Sequence, residues 1–535
     1  MIRPFFFSGT YCLRCQNIDG VETRERGDTM ELKVFKDTLS AAGTLCDAKA
    51  ELPVETEILI PDYLPQIFKI VKCFVHLVGL QKQITGTRLV LDGYLRCVVF
   101  YQGEGDQSLC QTEQKIPFTK AIDLAAGEYT GYHVYVSGDI EYLNCRAVNQ
   151  RRIDVRGAYA LTASVSARVE QEIVSTLAGA GAELKNEVLP GTQCVADMDK
   201  LISAEEEVIF PQQPCAVLDI SGTGTVQDIR VISGKAVVKG EIEAQILYRT
   251  EAGYHTEKLR KAIPFNQIID LDGVTEECRC FAAVEPIGCT LMAGSAQENS
   301  SVITVTALLH LRVFRSIEYC AVADAFSTQY ETELTYQQAA VEQLEDLVDE
   351  VAEARISGAL PDENAEIIQC FASPAPIEMA VNENQKTILR GRATAHVFCM
   401  NSLGEIDCYD KPFEYVLPGE YDALPENLRV ECWPAVQDAS GLKNGGNLSA
   451  QIQIHVTGTV LSRRKVTVLE SIQCLEELDS DDGDVALRIC YAAAGENVFD
   501  IAKKYHVSPK ATLACNALEE LQLENDTRLL IPMNV

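Results

Sequence analysis

The stretch GEIEAQILY, residues 240–248, alternates apolar and polar side chains along its length. Ile242, Ala244 and Ile246 fall on one side of an extended chain, and a glutamate or glutamine stands at each position between them. A period of two residues is typical of a β-strand with one buried face. The stretch therefore predicts a half-buried strand.

Strands of this kind occur in three copies. The same pattern, again beginning with glycine, is found at 93–101 (GYLRCVVFY) and at 391–399 (GRATAHVFC). Two sets of prolines surround these strands, one recurring every 150 residues and the other every 147 or 148. The two sets are Pro61, Pro211 and Pro361, and Pro117, Pro264 and Pro412. Because two independent sets agree, the sequence predicts a triplicated unit.

A second alternating run ends each copy, at 152–165, 301–313 and 449–460. Short strands separated by glycine, proline and asparagine turns are typical of antiparallel sheets. We therefore expect a mainly β fold with three tandem sandwich-like or barrel-like repeats, at 30–180, 181–327 and 328–473.

One segment of the third repeat has a different period. In QQAAVEQLEDLVDEVAEA, residues 337–354, the apolar residues fall on one helical stripe, made of Ala340, Val341, Leu344, Leu347, Val348 and Val351. This spacing predicts an amphipathic helix that leads into the third repeat. The helix would pack on that repeat's sheet or, alternatively, dock a partner.

The last part of the sequence predicts a flexible linker followed by a small module. Residues 474–486 are rich in carboxylates and lack an apolar period, which is typical of a flexible acidic linker. In 487–535, LRICY predicts a strand, Gly495 a turn and Asn497 a helix cap. Ser508 and Pro509 favour a second helix, and RLLIP a final strand, so the predicted order is β-α-α-β.

This module resembles the LysM family. The residues that match the family pattern in order are Tyr491, Gly495, Ile501, Ala502, Tyr505, Val507, Ser508, Leu513, Asn516, Leu529, Ile531 and Pro532. The resemblance implies a binding site on two loops, formed by Gly495, Glu496, Asn497, Val498, Phe499, Leu521, Gln522, Leu523, Glu524 and Asn525. Glu524-Asn525-Asp526 stands where Pro-Gly-Gln is usual, so we expect protein docking in place of N-acetylglucosamine binding, with Val498 and Phe499 on the docking face.

The three repeats look like SPOCS domains, on the strength of the I-P-D and I-P-F steps and the glycine-led strand. Three such domains followed by LysM resemble the SipL-like spore-coat morphogenetic proteins. The resemblance implies a non-enzymatic scaffold for coat assembly in the mother-cell cytoplasm, at the forespore surface. Its LysM module would dock to a coat morphogenetic ATPase (SpoIVA-like), its SPOCS units would support encasement, and it could self-associate. The alternative is a peptidoglycan-binding envelope protein that acts through LysM.

Composition agrees with this class. The 78 acidic and 46 basic residues give a formal charge of −32, which disfavours nucleic acid and anionic lipid as partners. No stretch has the roughly 20 apolar residues of a membrane span, and no secretory signal is evident. The 20 cysteines predict buried thiols in a reducing compartment. We expect translation to begin at Met30, so that residues 1–29 would be an upstream extension.

No enzyme signature stands out. The seven histidines are isolated, and Cys12–Cys15 is the single C-x-x-C, with no second pair at zinc-site spacing. The glycine-rich stretch 221–236 lacks the phosphate-loop pattern, and Trp433 is the single tryptophan. We therefore expect no catalytic residues, no cofactor and no metal.

Overall fold

The structure is a computed structural model, and it describes residues 32–105, 108–127, 129–250, 256–293, 299–360, 362, 364–444, 447–478 and 487–532. The predicted upstream extension, Met30 and the greater part of the predicted acidic linker lie outside these residues.

The first copy contains six strands in two antiparallel sheets. The strands are β1 (Lys33–Leu59), β2 (Ile67–Thr85), β3 (Arg88–Gly103), β4 (Leu109–Asp123), β5 (Thr130–Asn149) and β6 (Arg152–Ala178). The sheet orders are β1-β6-β5 and β2-β3-β4.

The second copy repeats this plan. Its strands are β7 (Ala182–Ile209), β8 (Pro214–Ile232), β9 (Lys235–Thr250), β10 (Thr256–Asp270), β11 (Arg279–Ala293) and β12 (Ser300–Ser327). The sheet orders are β11-β12-β7 and β10-β9-β8.

The third copy adds one short strand. Its strands are β13 (Tyr330–Ala359), β14 (Glu366–Pro374), β15 (Glu378–Val381), β16 (Thr387–Met400), β17 (Ile406–Val416), β18 (Leu428–Asn444) and β19 (Asn447–Glu477), with a 3-10 turn at Pro425–Asn427. One sheet has the order β13-β19-β18, and in the other β16 pairs with β14, β15 and β17. The predicted mainly β, antiparallel architecture is confirmed.

Each copy encloses a core of its own between its two sheets. In the second copy Ile242, Ala244 and Ile246 are fully buried, as their alternation predicts. The glycine that begins the quoted strand is required because Phe265 lies over it, and a Cβ at Gly240 would collide with that ring and with the carbonyl of Thr225.

The third copy differs in register. Phe118 pairs with Gly93 and Phe265 with Gly240, but Gly391 pairs with Tyr415. The repeat alignment predicts that the phenylalanine after Pro412 pairs with Gly391. In the structure this phenylalanine lies two residues earlier on β17 than the residue that does so.

Six long strands extend beyond these cores. The far parts of the pairs β1/β6, β7/β12 and β13/β19 pack on one another, and we call these three ribbons the stalk (33–44 with 166–178, 182–194 with 314–327, 330–344 with 461–477). The stalk has two apolar layers to which all three copies contribute. The nearer contains Leu39, Tyr319 and Val341, and the farther contains Leu177, Val322 and Leu469.

The predicted helix at 337–354 is wrong, because these residues lie within β13 and pair with β19. A register shift between Leu344 and Asp346 explains the error. Before the shift the buried apolar residues include the odd-numbered Ala339 and Val341, and after it the even-numbered Val348 is buried. The bulge moves the buried face by one residue, so a strand shows the three-residue spacing of a helix.

The terminal module has the order β20 (Leu487–Ala492), α1 (Val498–Lys504), α2 (Pro509–Asn516) and β21 (Thr527–Pro532), with β20 antiparallel to β21. The first four residues of the predicted linker, 474–477, belong to β19. Within the described part of the chain, no helix has both the length and the apolar character needed to cross a membrane.

Candidate functional site

The first helix of the terminal module begins as the sequence predicts. The side chain of Asn497 accepts a hydrogen bond from the backbone N–H of Phe499 at 2.8 Å, which caps the helix. Ser508 is the N-cap residue of α2, but its side chain makes no capping bond, and Pro509 stands in the first turn.

Two loops of the module lie against each other, and we call them the rim (residues 493–497 and 521–526). Gly495 has a φ of +89°, a conformation that glycine adopts without strain. Its N–H donates to the carbonyl of Leu523 at 2.7 Å, and the N–H of Leu523 donates to the carbonyl of Glu496 at 3.0 Å. The N–H of Val498 donates to the carbonyl of Leu521 at 2.7 Å. These bonds join the two loops directly, so the N–H groups of Gly495, Leu523 and Val498 are paired within the module.

Two rim carboxylates also have structural partners. Glu496 accepts a hydrogen bond from the N–H of Ala493 at 3.0 Å, and Asp526 accepts one from the N–H of Ala494 at 2.9 Å. These charge-assisted bonds hold the turn before α1. Glu496 thus stabilises the loop in which it lies, and Asp526 joins the second loop to the first.

The predicted site residues divide into two groups. Val498, Phe499 and Leu523 are buried in the module's core, and Asn497 is half-buried. The exposed members are Gly495, Glu496, Leu521, Gln522, Glu524 and Asn525. Val498 and Phe499 are therefore core residues, which corrects the expectation that they lie on an exposed docking face.

The second copy covers the face of α1. The ring of Phe499 meets Phe326 edge-on, with centroids 5.3 Å apart. Lys503 Nζ lies 2.6 Å from Asp324 Oδ1, and His506 Nδ1 lies 3.2 Å from the carbonyl oxygen of Ser327. The module is thereby seated on the far end of the stalk, with its rim exposed.

The exposed outer face of β20 was not predicted from the sequence. Leu487, Ile489 and Tyr491 are all at least half exposed and lie on the outer face of β20, whereas Ala492 points into the core. The period of two within LRICYA is the signal that identifies this face.

At one place where the three copies meet, the side chains are charged. We call this cluster the junction (His133, Asp197, Arg312, Glu431). His133 of the first copy places Nδ1 2.6 Å from Asp197 Oδ2 of the second copy and Nε2 2.7 Å from Glu431 Oε2 of the third. Arg312 Nη1 donates to the same Glu431 oxygen at 2.7 Å. One imidazole therefore joins all three copies.

The junction requires a charged histidine. Carboxylates only accept, so both ring nitrogens of His133 must carry hydrogens. Burial disfavours the imidazolium, but Glu431 and Asp197 outweigh it and raise the pKa of His133. Burial likewise opposes the Glu431 carboxylate, yet His133 and Arg312 hold its pKa well below the usual range.

A second histidine lies beside the junction. His310 Nδ1 is 2.6 Å from Asp199 and Nε2 is 3.2 Å from Glu285, and its ring stacks on Trp433 of the third copy at 5.2 Å. Burial lowers the pKa of His310, but the bonds to Asp199 and Glu285 prevail and raise it to about 9. Lys82 of the first copy bonds Asp199 at 3.0 Å, so this cluster too spans the copies.

Comparison with protein families gives one match. The family described as SipL, SPOCS domain matches residues 66–148 and 216–292, which correspond to β2–β5 of the first copy and β8–β11 of the second. The match points to a sporulation-related protein, and this family is not a known enzyme family. No curated protein and no solved structure matches the chain.

Proposed function

We propose that this protein is a non-enzymatic scaffold for assembly of the spore coat. Three SPOCS-type units would form its body and support encasement of the forespore, and a LysM-type module would dock to a coat morphogenetic ATPase of the SpoIVA-like class. The observation that carries the proposal is the family match at 66–148 and 216–292. The protein would act in the mother-cell cytoplasm, at the forespore surface.

The rim supports a protein partner. The N–H groups of Gly495 and Leu523 are paired between the two loops, and the rim exposes the side chains of Leu521, Gln522 and Asn525 to a partner. Glu524 is exposed beside them, and Glu519 and Glu520 precede them. We infer that the partner presents a basic surface, because charge complementarity steers association and selects partners.

The stalk holds the terminal module in place, so that the rim is presented to a partner. The apolar layers join all three copies, and the contacts of Phe499 and Lys503 hold the module on the second copy. A module fixed in this way loses little freedom on binding, which favours affinity.

The experiment is a binding titration of the full chain with the purified ATPase of the same organism. Reversing the charges of Glu520 and Glu524 to lysine should weaken binding at least about tenfold, a typical cost of losing well-placed interface groups. Glu51→Lys with Glu55→Lys, two exposed charge reversals on β1, is the matched control and should bind as the parent chain does. Binding by the wild-type chain should also weaken as salt is raised. Equal affinity of the rim variant and the control would contradict the rim assignment.

Peptidoglycan binding is the second candidate, favoured by the β-α-α-β order and the Gly495 turn. Sedimentation of the full chain with insoluble peptidoglycan separates the two proposals. We expect no retention above that of an unrelated acidic protein. Retention that is reversed by N-acetylglucosamine oligomers and lost in the rim variant would replace the docking proposal.

A further inference from the structure

Three metal-ligand side chains converge on one face of the hairpin β16–β17. His396 and Asp410 are direct cross-strand partners, and Cys408 stands two residues before Asp410 on the same face of β17. Their ligand atoms all lie within 4.8 Å of one another, with His396 Nδ1 2.7 Å and Cys408 Sγ 3.3 Å from Asp410 Oδ1. Across the described ranges, this is the one such group of three.

The histidine is already oriented as a ligand. His396 is buried, and its Nε2 lies 3.1 Å from Ser373 Oγ on β14. The ring meets Phe74 of the first copy edge-on at 5.0 Å. A hydrogen bond to the far ring nitrogen is the usual outer contact of a metal-bound histidine, because it fixes the tautomer and the ring plane. Nδ1 is thereby left toward the thiol and the carboxylate.

The two carboxylate oxygens of Asp410 face different partners. Asp410 Oδ1 faces His396 and Cys408, while Oδ2 is 2.5 Å from Lys72 Nζ of the first copy. The ion pair with Lys72 indicates a carboxylate at Asp410, with one oxygen directed at the other two ligands.

The thiol supplies the sulfur ligand of the group. Cys408 is half-buried, and its Sγ lies 3.3 Å from Asp410 Oδ1. Coordination to a divalent ion deprotonates a thiol outright, so a bound ion would hold Cys408 as a thiolate.

We propose that His396 Nδ1, Cys408 Sγ and Asp410 Oδ1 bind a zinc ion. One imidazole, one thiolate and one carboxylate are all zinc ligands, and three protein ligands leave a fourth tetrahedral position for water. Asp410 is about half exposed, so solvent reaches the site. Thiolate and imidazole disfavour magnesium and calcium, which take oxygen ligands. The spacing H-x11-C-x-D matches no short zinc motif, because the ligands meet only through strand pairing.

The proposed ion would lie beside the contact between the first and third copies. Lys72 and Phe74 come from the first copy, and a cavity of about 820 Å3 lined by residues of both copies reaches His396. Lys72 places a positive charge beside the site, so it should lower the affinity of the site for a cation.

The test is a Co2+ titration of the chelator-treated full chain, followed by Zn2+ competition. One equivalent of Co2+ should bind with a thiolate-to-cobalt charge-transfer band, which Zn2+ removes. Cys408→Ser should abolish the band and weaken binding at least about 100-fold, and Ser373→Ala should weaken it about tenfold. Cys215→Ser, an exposed thiol of the second copy, is the matched control and should leave the titration unchanged. Circular dichroism of each variant should show the strand content of the wild-type chain.

Lys72→Met separates a metal site from an ion pair that only joins two copies. Loss of the ammonium should tighten Co2+ binding about tenfold, because a neighbouring positive charge is removed from a partly buried site. Three results would each overturn the proposal: no stoichiometric cobalt band in the wild-type chain, the same band in Cys408→Ser, or weaker binding in Lys72→Met.

Discussion

The interior of each copy and the junction between copies are built from opposite kinds of side chain. Inside the second copy Ile242, Ala244 and Ile246 are fully buried and apolar. At the junction His133, Glu431 and their neighbours form a buried network of charges. The apolar interiors repeat in all three copies, and the network does not.

Equivalent positions of the three copies show this difference. Tyr135, Phe281 and Glu431 hold the same register in their copies, opposite Ser164, Arg312 and Thr459. The same position is thus a tyrosine, a phenylalanine or a glutamate according to the copy. Apolar cores tolerate such repetition because burial is non-directional, whereas a buried ion pair requires one partner in one place.

The largest expected effect is at the junction. Glu431→Ala leaves His133 and Arg312 buried without their shared carboxylate, so the free energy of unfolding should fall by about 3–5 kcal/mol. Denaturant unfolding of the full chain measures this fall. Glu414→Ala, at an exposed ion pair on β17, is the control and should change stability by less than about 1 kcal/mol. Equal effects of the two variants would mean that the junction charges are screened by solvent.

The core gives the next effect. Ile246→Ala removes buried methyl groups from a fully buried position, and the free energy of unfolding should fall by about 2–5 kcal/mol. The loss should be the same at pH 7 and pH 9, because no charge is involved. A pH-dependent loss at Ile246 would break the distinction between core and junction.

The histidine beside the junction predicts a pH dependence. The pKa of His310 is raised from 6.5 to about 9 in the folded chain. Its contribution, up to about 3 kcal/mol, is fully present below pH 6.5 and is lost as the pH rises through about 9. Denaturant unfolding between these values should show the wild-type chain losing more stability than His310→Gln. Parallel curves for the two proteins would show that the cluster of His310, Asp199 and Glu285 does not couple folding to protons.

The smallest effect is at the seat of the terminal module. Lys503→Ala removes the 2.6 Å contact with Asp324 while leaving the Phe326–Phe499 pair in place. The expected loss is about 0–1 kcal/mol. Hydrogen exchange should be faster in α1 and unchanged in the strands of the first copy. Faster exchange throughout the chain would instead make this contact part of the global fold.

The bulge at Leu344 and Asp346 shows where sequence reasoning failed within one element. The apolar residues around it have helical spacing, and the sequence contains no sign that a partner strand would pair along the whole of β13. The rim shows a partial success. The order of elements, the Asn497 cap and the Gly495 turn were predictable from local preferences. The burial of Phe499 depends on Phe326, a residue of the second copy and not of the terminal module.

The amino-acid sequence by itself determined the antiparallel strands, their triplication and the small terminal module, because a period of two and a capped turn are local properties of neighbouring residues. Only the tertiary structure decided the stalk, the junction and the grouping of His396, Cys408 and Asp410. His133 and Glu431 are 298 positions apart, and a hydrogen bond between them depends on how two sheets pack. Such a contact leaves no periodic signal in the chain.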